Sequence, residues 1–450
     1  MAAWVLISGL DDLLLDLVRA WLWARPPACP AGHGARPSPW IAVFVPLWQE
    51  HQVIAGMIEH NVEALGYDRY HIFIGVYPND PLTRSVVVNL ERRHPQVHMA
   101  ECPHDGPTSK ADCLNWIYLR MLLFEEQHGV SFDLVVTHDA EDLIHPQALD
   151  LASELAGEAD MVQIPVLPLP TPSLELVHGV YCDEFADYQI RELPARQFLG
   201  GFLPSCGVGV AFSRRALEEL AQRNSNRIFD PRCLTEDYEI GFRLHRMGRR
   251  AIFVLLQRRE GGLLATREYF PRTFRGAVRQ RTRWMMGIAL QSWELHDCKE
   301  TLGQLYWFWR DRKGLIGSLV SPATNAFFVY GLASGMDGAP WLGPVFSVTL
   351  VLQLLHLGIK MYCAGLIYGW RFAAGAPLRA WVGNAINFLA AACAIWRYAV
   401  AKLKGEPLVW LKTEHLYPSR STLLSLRENL PSIELGLREI ARGASRALPA

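Results

Sequence analysis

At 450 residues, half of them hydrophobic, the chain is long enough for two or three structural units with ample core. Its 44 lysines and arginines nearly cancel its 45 aspartates and glutamates, which excludes the basic footprint of a nucleic-acid binder. The nine cysteines show neither a C-x-x-C pair nor a Cys/His zinc spacing, so they read as reduced thiols of a cytosol-facing protein and not as a disulfide framework.

The first ten residues are apolar, but Asp11, Asp12 and Asp16 interrupt before the length of about 20 residues that a membrane span needs. Residues 1–24 are expected to form a hydrophobic or amphipathic membrane segment, either interfacial or the end of a span that begins upstream. A Pro/Gly/Arg linker over 25–39 leads into residues 40–300, which have the pattern of an α/β domain. Residues 41–46, β-branched and closed by Pro46, predict a buried strand. A helical pattern over 53–65 and a second strand over 71–77 continue the rhythm of a parallel sheet. Ligands bind such sheets beyond the carboxyl ends of strands, where Glu50 and Asp80 stand, although solvated loop residues would look the same. Residues 108–115 open an apolar helix. Lys110 near its start can meet a phosphate together with the helix amides, or simply be solvated.

A strand over 132–137 runs directly into His138-Asp139-Ala140-Glu141-Asp142. Three acids in four residues after a core strand suit a hard cation such as Mg²⁺ or Mn²⁺, with Asp139, Glu141 and Asp142 as candidate ligands. Another strand, 161–165, ends in a Pro-rich loop, and Gly207 and Gly209 form only a weak glycine pattern. At Thr235-Glu236-Asp237-Tyr238 two adjacent carboxylates open a helical pattern. Thr235 can cap it and the acids suit its dipole, so a capped surface helix accounts for this stretch taken alone. Downstream stands Gln280-Arg281-Thr282-Arg283-Trp284.

These three clusters in this order resemble the membrane-bound, cellulose-synthase-like members of the family 2 glycosyltransferases, with their D-x-D, T/E-D and Q-x-x-R-W elements. The chain is also similar to the glycosyltransferase part of the bacteriophage N4 adsorption protein B group. That likeness rests on Ile7-Ser8-Gly9-Leu10-Asp11-Asp12, Tyr77-Pro78-Asn79-Asp80, residues 106–115, the 138–142 turn, Trp309-Arg310-Asp311-Arg312-Lys313-Gly314 and Trp410-Leu411-Lys412-Thr413. The resemblance implies a GT-A-like α/β domain with a mostly parallel sheet, followed by transmembrane and interfacial helices. It implies inverting transfer from a nucleoside-diphosphate sugar, a UDP-hexose or UDP-N-acetylhexosamine, to a glycan acceptor or growing surface polysaccharide. Pro46, Glu50 and Asp80 would contact the nucleoside, Lys110 and Asp139 the rest of the donor, and Pro204 and Ser205 would shape the sugar pocket. Asp237, with Glu236 beside it, would take the acceptor proton. Gln280, Arg283 and Trp284 would supply an amide, a phosphate-binding guanidinium and a stacking face. A basic helix binding lipid headgroups is a second reading of 279–284, and both can hold at once. The second D-x-D position carries Glu141, which departs from the pattern and leaves the choice among 139–142 open.

Residues 301–405 read as a membrane region. Uncharged runs over 315–335 and 341–359 are long enough to span, and the basic residues Arg310, Arg312, Lys313, Lys360 and Arg371 flank this pair on the inner side. Residues 378–400, basic at both ends, read as an interfacial helix, and 406–450 as a cytoplasmic tail. The expected setting is a bacterial inner membrane with the catalytic domain in the cytoplasm. Membrane lipid is then one partner, and a secretion or outer-membrane protein another, because two spans make a poor conduit. The competing class is a non-catalytic membrane scaffold or nucleotide sensor.

Overall fold

In a computed structural model, the described residues are 2–24, 38–258, 262–296, 301–334, 342–406, 408 and 417–418. The expected linker over 25–39 and tail over 406–450 lie almost wholly outside them, as do residues 335–341.

Eight strands appear in order: β1 (Ile41–Pro46), β2 (Tyr70–Val76), β3 (Val97–Glu101), β4 (Leu134–Thr137), β5 (Met161–Gln163), β6 (Val166–Pro168), β7 (Val210–Ser213) and β8 (Ala251–Phe253). All but β6 join one sheet in the order β3-β2-β1-β4-β7-β5-β8, parallel except that β7 runs against both neighbours. The period of two decides which core each residue enters. Ala42 and Phe44 meet Phe73 and the helix Lys110–His128 on one face, while Ile41, Val43 and Val45 meet the helix Ile54–Ala64 on the other. Both faces are thereby covered, and each large side chain so buried contributes about 1.5–3 kcal/mol.

The chain leaves β1 for β2 and β3, then returns to add β4 on the other side of β1. That reversal opens a crevice at the carboxyl ends of β1 and β4. Because Phe44 pairs with Thr137, the residues two further on, Pro46 and Asp139, emerge side by side there. Three short strands follow: β9 (Gln257–Arg258) pairs with β10 (Gly262–Leu263), and β11 (Thr266–Glu268) runs parallel to β6. An isolated bridge from Leu143 to Arg267 ties β11 to the acidic turn.

Packed against the domain lie the helices Ala2–Trp23, Leu302–Ser334, Leu342–Tyr368 and Ala376–Lys404. By length and composition, Gly343–Tyr368 and Ala376–Lys404 are apolar enough to cross a membrane. The run expected as the first span is the distal part of the helix Leu302–Ser334, whose first turns pack into the domain through Trp307 and Phe308. Arg379, read from sequence as a flanking cation of an interfacial helix, is fully buried and forks onto Asp183 at 2.6 and 2.8 Å. One of the two reasons for an interfacial reading is therefore an internal ion pair. The first helix exposes Ile7, Leu10, Leu14, Leu17 and Trp21 along one stripe and buries Asp11, Leu15, Asp16 and Arg19 on the other. Its buried acids are answered by Arg310, by Lys313 (2.5 and 3.0 Å to Asp11 and Asp12) and by Arg191 (3.1 Å to Asp16).

Candidate active site

The crevice deepens into a cavity of about 480 Å³, walled by the ends of β1 and β4, the start of the Lys110 helix, the start of the Glu236–Arg246 helix and the Gln280–Trp284 turn. On the β1 side Pro46, Trp48 and Glu50 face it, with Trp48 set edge-on to Tyr77 at 5.4 Å between ring centroids. Gln49 bends this loop in the left-handed region (φ 55°), and Asp80 Oδ2 accepts its backbone N–H at 2.6 Å. Asp80 also accepts from the Thr83 amide at the start of the helix Pro81–Arg93. So Asp80 is not on the cavity wall; it holds the loop that carries Glu50 there.

Ser109 caps the helix Lys110–His128, accepting the Asp112 amide at 3.2 Å, and this aims Lys110 across the crevice. Its Nζ lies 2.5 Å from Asp139 Oδ1. Burial alone would discharge Lys110, but the charges of Asp139, Glu236 and Asp237 outweigh it and hold the ammonium protonated. Of the acidic turn, Asp139 and Glu141 line the cavity and Asp142 does not. Asp142 is fully buried, with Oδ2 2.7 Å from His138 Nδ1 and 3.0 Å from the Asp139 amide, while its carbonyl takes Asn61 Nδ2 at 2.9 Å. Burial keeps His138 neutral, its value lowered to about 3, so its Nδ1–H donates to the carboxylate. Asp142 therefore braces the turn that presents Asp139.

Glu236 and Asp237 occupy the first turn of their helix, as expected, but Thr235 makes no side-chain cap. Its hydroxyl and methyl instead press on the backbone at Gly287, where a Cβ would come within 2.4 Å of Oγ1. Thr235 therefore ties the helix to the π-helical segment Met285–Gln291, reinforced by Gln291 Oε1 accepting from the Leu234 amide at 2.9 Å. One turn along, Gly241 sits on the backbone of residues 203–205, with room for no side chain. Asp237 Oδ1 accepts the Tyr238 amide at 2.8 Å, and Gly207 (φ +81°) lies against Oδ2. Burial, then the neighbouring Asp237 charge, pushes Glu236 up to about 7; burial also raises Asp237, opposed by Lys110.

The helix Phe274–Trp284 delivers Gln280, Arg283 and Trp284 to the cavity, with Trp284 packed among Tyr181, Phe185 and Phe270. Arg281 turns the other way, into Glu184 and Asn387 at 2.6 Å each, so it is an internal ion pair and not a lipid contact. Four cavity residues carried no sequence signal of their own: Gln189 and Glu192 on the π-helical turn Tyr188–Glu192, Glu268 at the end of β11, and Asp311. Asp311 does fall within the Trp309–Gly314 stretch that carried part of the resemblance.

A mostly parallel sheet with this crevice is the GT-A-like fold. The same fold is found in a mannosyltransferase from Pyrobaculum calidifontis solved in complex with GDP-Man and Mn²⁺ (TM-score 0.56, 18% identity, 88% of this chain and 99% of that one). Residues 37–287 match the model of the family described as Glycosyltransferase like family 2, and the chain belongs to that family. It is 35% identical over 462 aligned residues to bacteriophage adsorption protein B of Escherichia coli K12 and, to the same extent, to bacteriophage N4 adsorption protein B of Escherichia coli O157:H7. Those alignments take in 93% of this chain but 62% of the relatives, so the chain spans less than two thirds of their length.

Proposed function

We propose that the chain transfers a sugar, with inversion, from a UDP-hexose or UDP-N-acetylhexosamine to a glycan acceptor or growing surface polysaccharide. The observation that carries this reading is the convergence, in one cavity, of the Lys110–Asp139 pair and the Glu236–Asp237 pair, close enough for both acids to hold Lys110 charged. Trp48, Glu50 and Pro46 form a flat, partly polar end for the nucleoside. Lys110 and Arg283 place cationic groups where a diphosphate leaves. Asp237, buried and raised, takes the proton of the attacking hydroxyl, and Glu236 beside it adds no second negative charge when it is protonated. Trp284 offers a face to a sugar ring.

Among the described residues no three His, Cys, Asp or Glu side chains converge as a ready-made metal cage. A hard cation on a diphosphate needs only one or two carboxylates, however, and Asp139 with Glu141 or Glu268 facing the cavity meets that need. Mg²⁺ or Mn²⁺ held there would offset charge on the leaving diphosphate. The Mn²⁺ and GDP-Man of the P. calidifontis mannosyltransferase support this choice of cofactor and donor class. The apolar helices and the outward stripe of the first helix support anchoring at a membrane; on this reading it is a bacterial inner membrane, with the site on the cytoplasmic side and a secretion partner beyond it. Screening UDP-sugars for UDP release by the purified membrane protein with Mg²⁺ or Mn²⁺ tests the proposal. Release from one donor supports it, and UDP binding without release from any donor, in native membranes as well, favours a sensor or scaffold.

A further inference from the structure

The cavity wall does not stop at Asp237. It continues through Tyr238 to Asp311, which accepts the Tyr238 hydroxyl at 2.7 Å, and on to Arg310, Lys313 and Gly314 of the same helix, Leu302–Ser334. Spaced i, i+3 and i+4, those positions share one helix face, whereas Arg312 turns away to Ser292 and the ring of Trp293. Half-buried Tyr188 and Glu192, both on the π-helical turn, also line the cavity. The charges of this wall are answered within the fold. Arg310 pairs with Asp11, with Asp12 at 3.0 Å and with Glu192 at 2.9 Å; Lys313 pairs with Asp11 and Asp12, and Asp311 with Arg196. No surplus cation is left for a phosphate, so the wall suits an uncharged, hydroxyl-rich ligand. Gly314 is exposed, and a Cβ added there would meet nothing within 4 Å among the described residues. No neighbour in the fold requires this glycine, and in a helix interior it is less favourable than alanine. What it provides is bare backbone on a cavity wall, where a ligand can pass close.

We infer that the acceptor glycan lies along this wall, with the units behind its terminal sugar passing over the bare backbone of Gly314. This rests on the transferase reading above. The terminal hydroxyl then meets Asp237, and the half-buried ring of Tyr188 offers a face to a neutral sugar. A side chain at Gly314 would fill the path of the glycan while leaving the packing of the fold and the Lys110–Asp139 end of the cavity untouched.

The test compares wild type, Gly314→Ala, Gly314→Leu and Gly303→Leu in membrane vesicles from expressing cells, supplied with labelled UDP-sugars. Gly303 is the matched control: it is exposed on the same helix, has equally open surroundings and does not line the cavity. UDP affinity and label incorporated into glycan are read for each, beside UDP release by purified wild type. Incorporation is expected to fall about tenfold or more in Gly314→Leu, and by a smaller factor in Gly314→Ala, although both changes favour the helix. UDP affinity should stay within about twofold, and Gly303→Leu should match wild type. Wild-type incorporation by Gly314→Leu overturns the assignment, as does an equal loss in Gly303→Leu or a parallel loss of UDP affinity. If Gly314→Leu does not accumulate, Gly314→Ala decides alone, and wild-type incorporation by it overturns the assignment. A wild type that releases no UDP from any donor fails the transferase reading itself and is told apart by that control.

Discussion

Tyr238 Oη donates to Asp311 Oδ2 at 2.7 Å, while the same carboxylate receives the Arg196 guanidinium at 2.7 and 3.0 Å. Asp311 belongs to the helix Leu302–Ser334, and Tyr238 is the residue whose amide holds Asp237. The first turn of the Glu236–Arg246 helix is thus fixed by the helix Leu302–Ser334. Tyr238→Phe removes one hydrogen bond and is expected to cost about 1 kcal/mol. Asp311→Ala strands a buried arginine and is expected to cost about 3–5 kcal/mol. Turnover should fall severalfold in Tyr238→Phe with donor affinity kept, as read by thermal unfolding beside steady-state kinetics. Equal kinetics would remove the positioning role.

The raised carboxylates set a pH dependence whose sign follows from which form acts. As the proposed base Asp237 would work ionised, and an upward shift means that this form is lost at higher pH than in an exposed aspartate. Donor turnover should therefore rise with pH and reach its half-maximum at a higher pH than an exposed aspartate would set. Glu236, moved from 4.5 to about 7, favours the folded state below its unfolded value and loses that advantage as pH rises through 7. Glu236→Gln is expected to gain about 1–3 kcal/mol at pH 8 and much less at pH 5, measurable as paired unfolding midpoints.

Asp139 and Asp142, three residues apart, are expected to part company. Asp139→Asn should weaken Mn²⁺ binding in the presence of UDP by about tenfold or more, since it removes a cavity carboxylate. Asp142→Asn should leave Mn²⁺ affinity near wild type and lower stability by about 1–3 kcal/mol, because it disturbs the His138 pair and the turn behind the site. Titrating the free Mn²⁺ resonance and unfolding the same two proteins separates them. A reversed pattern would put the cation on Asp142.

Gly241→Ala is expected to be disproportionately harmful for one methyl group. Its Cβ would stand 2.5 Å from the Leu203 carbonyl and 2.9 Å from Pro204 Cα, backbone that cannot swing aside. A loss of about 1–3 kcal/mol and a displaced Asp237 should follow, seen as lower expression and lower turnover per folded molecule.

Much of this was legible in the chain. Buried parallel strands announce themselves as short β-branched runs, so β1, β2 and β4 fell close to where the sequence placed them, while of the carboxylates beyond them Glu50, Asp139 and Glu141 reach the cavity and Asp80 and Asp142 do not. Lys110, Asp139, Glu236, Asp237, Gln280, Arg283 and Trp284 do share one cavity. What a linear pattern cannot carry is which way a polar side chain turns. Asp142 and Arg281 look identical in sequence to Asp139 and Arg283, which line the cavity, and differ in meeting His138 and Glu184 inside the fold. Arg379 read as a membrane-edge cation because Asp183, 196 positions away, is invisible to a local window. Gln189 and Glu268 sit on a π-helical turn and a three-residue strand, neither of which has a hydrophobic period of its own.

The most direct measurement is UDP release and UDP affinity for wild type beside Asp237→Asn, with the donor and metal at saturation. Wild type should release UDP, and the variant should bind UDP as tightly while release falls by at least two orders of magnitude, because it keeps the cavity but not the proton acceptor. Undiminished release from Asp237→Asn would contradict the assignment of the base, and with it the chemistry built on the Glu236–Asp237 turn.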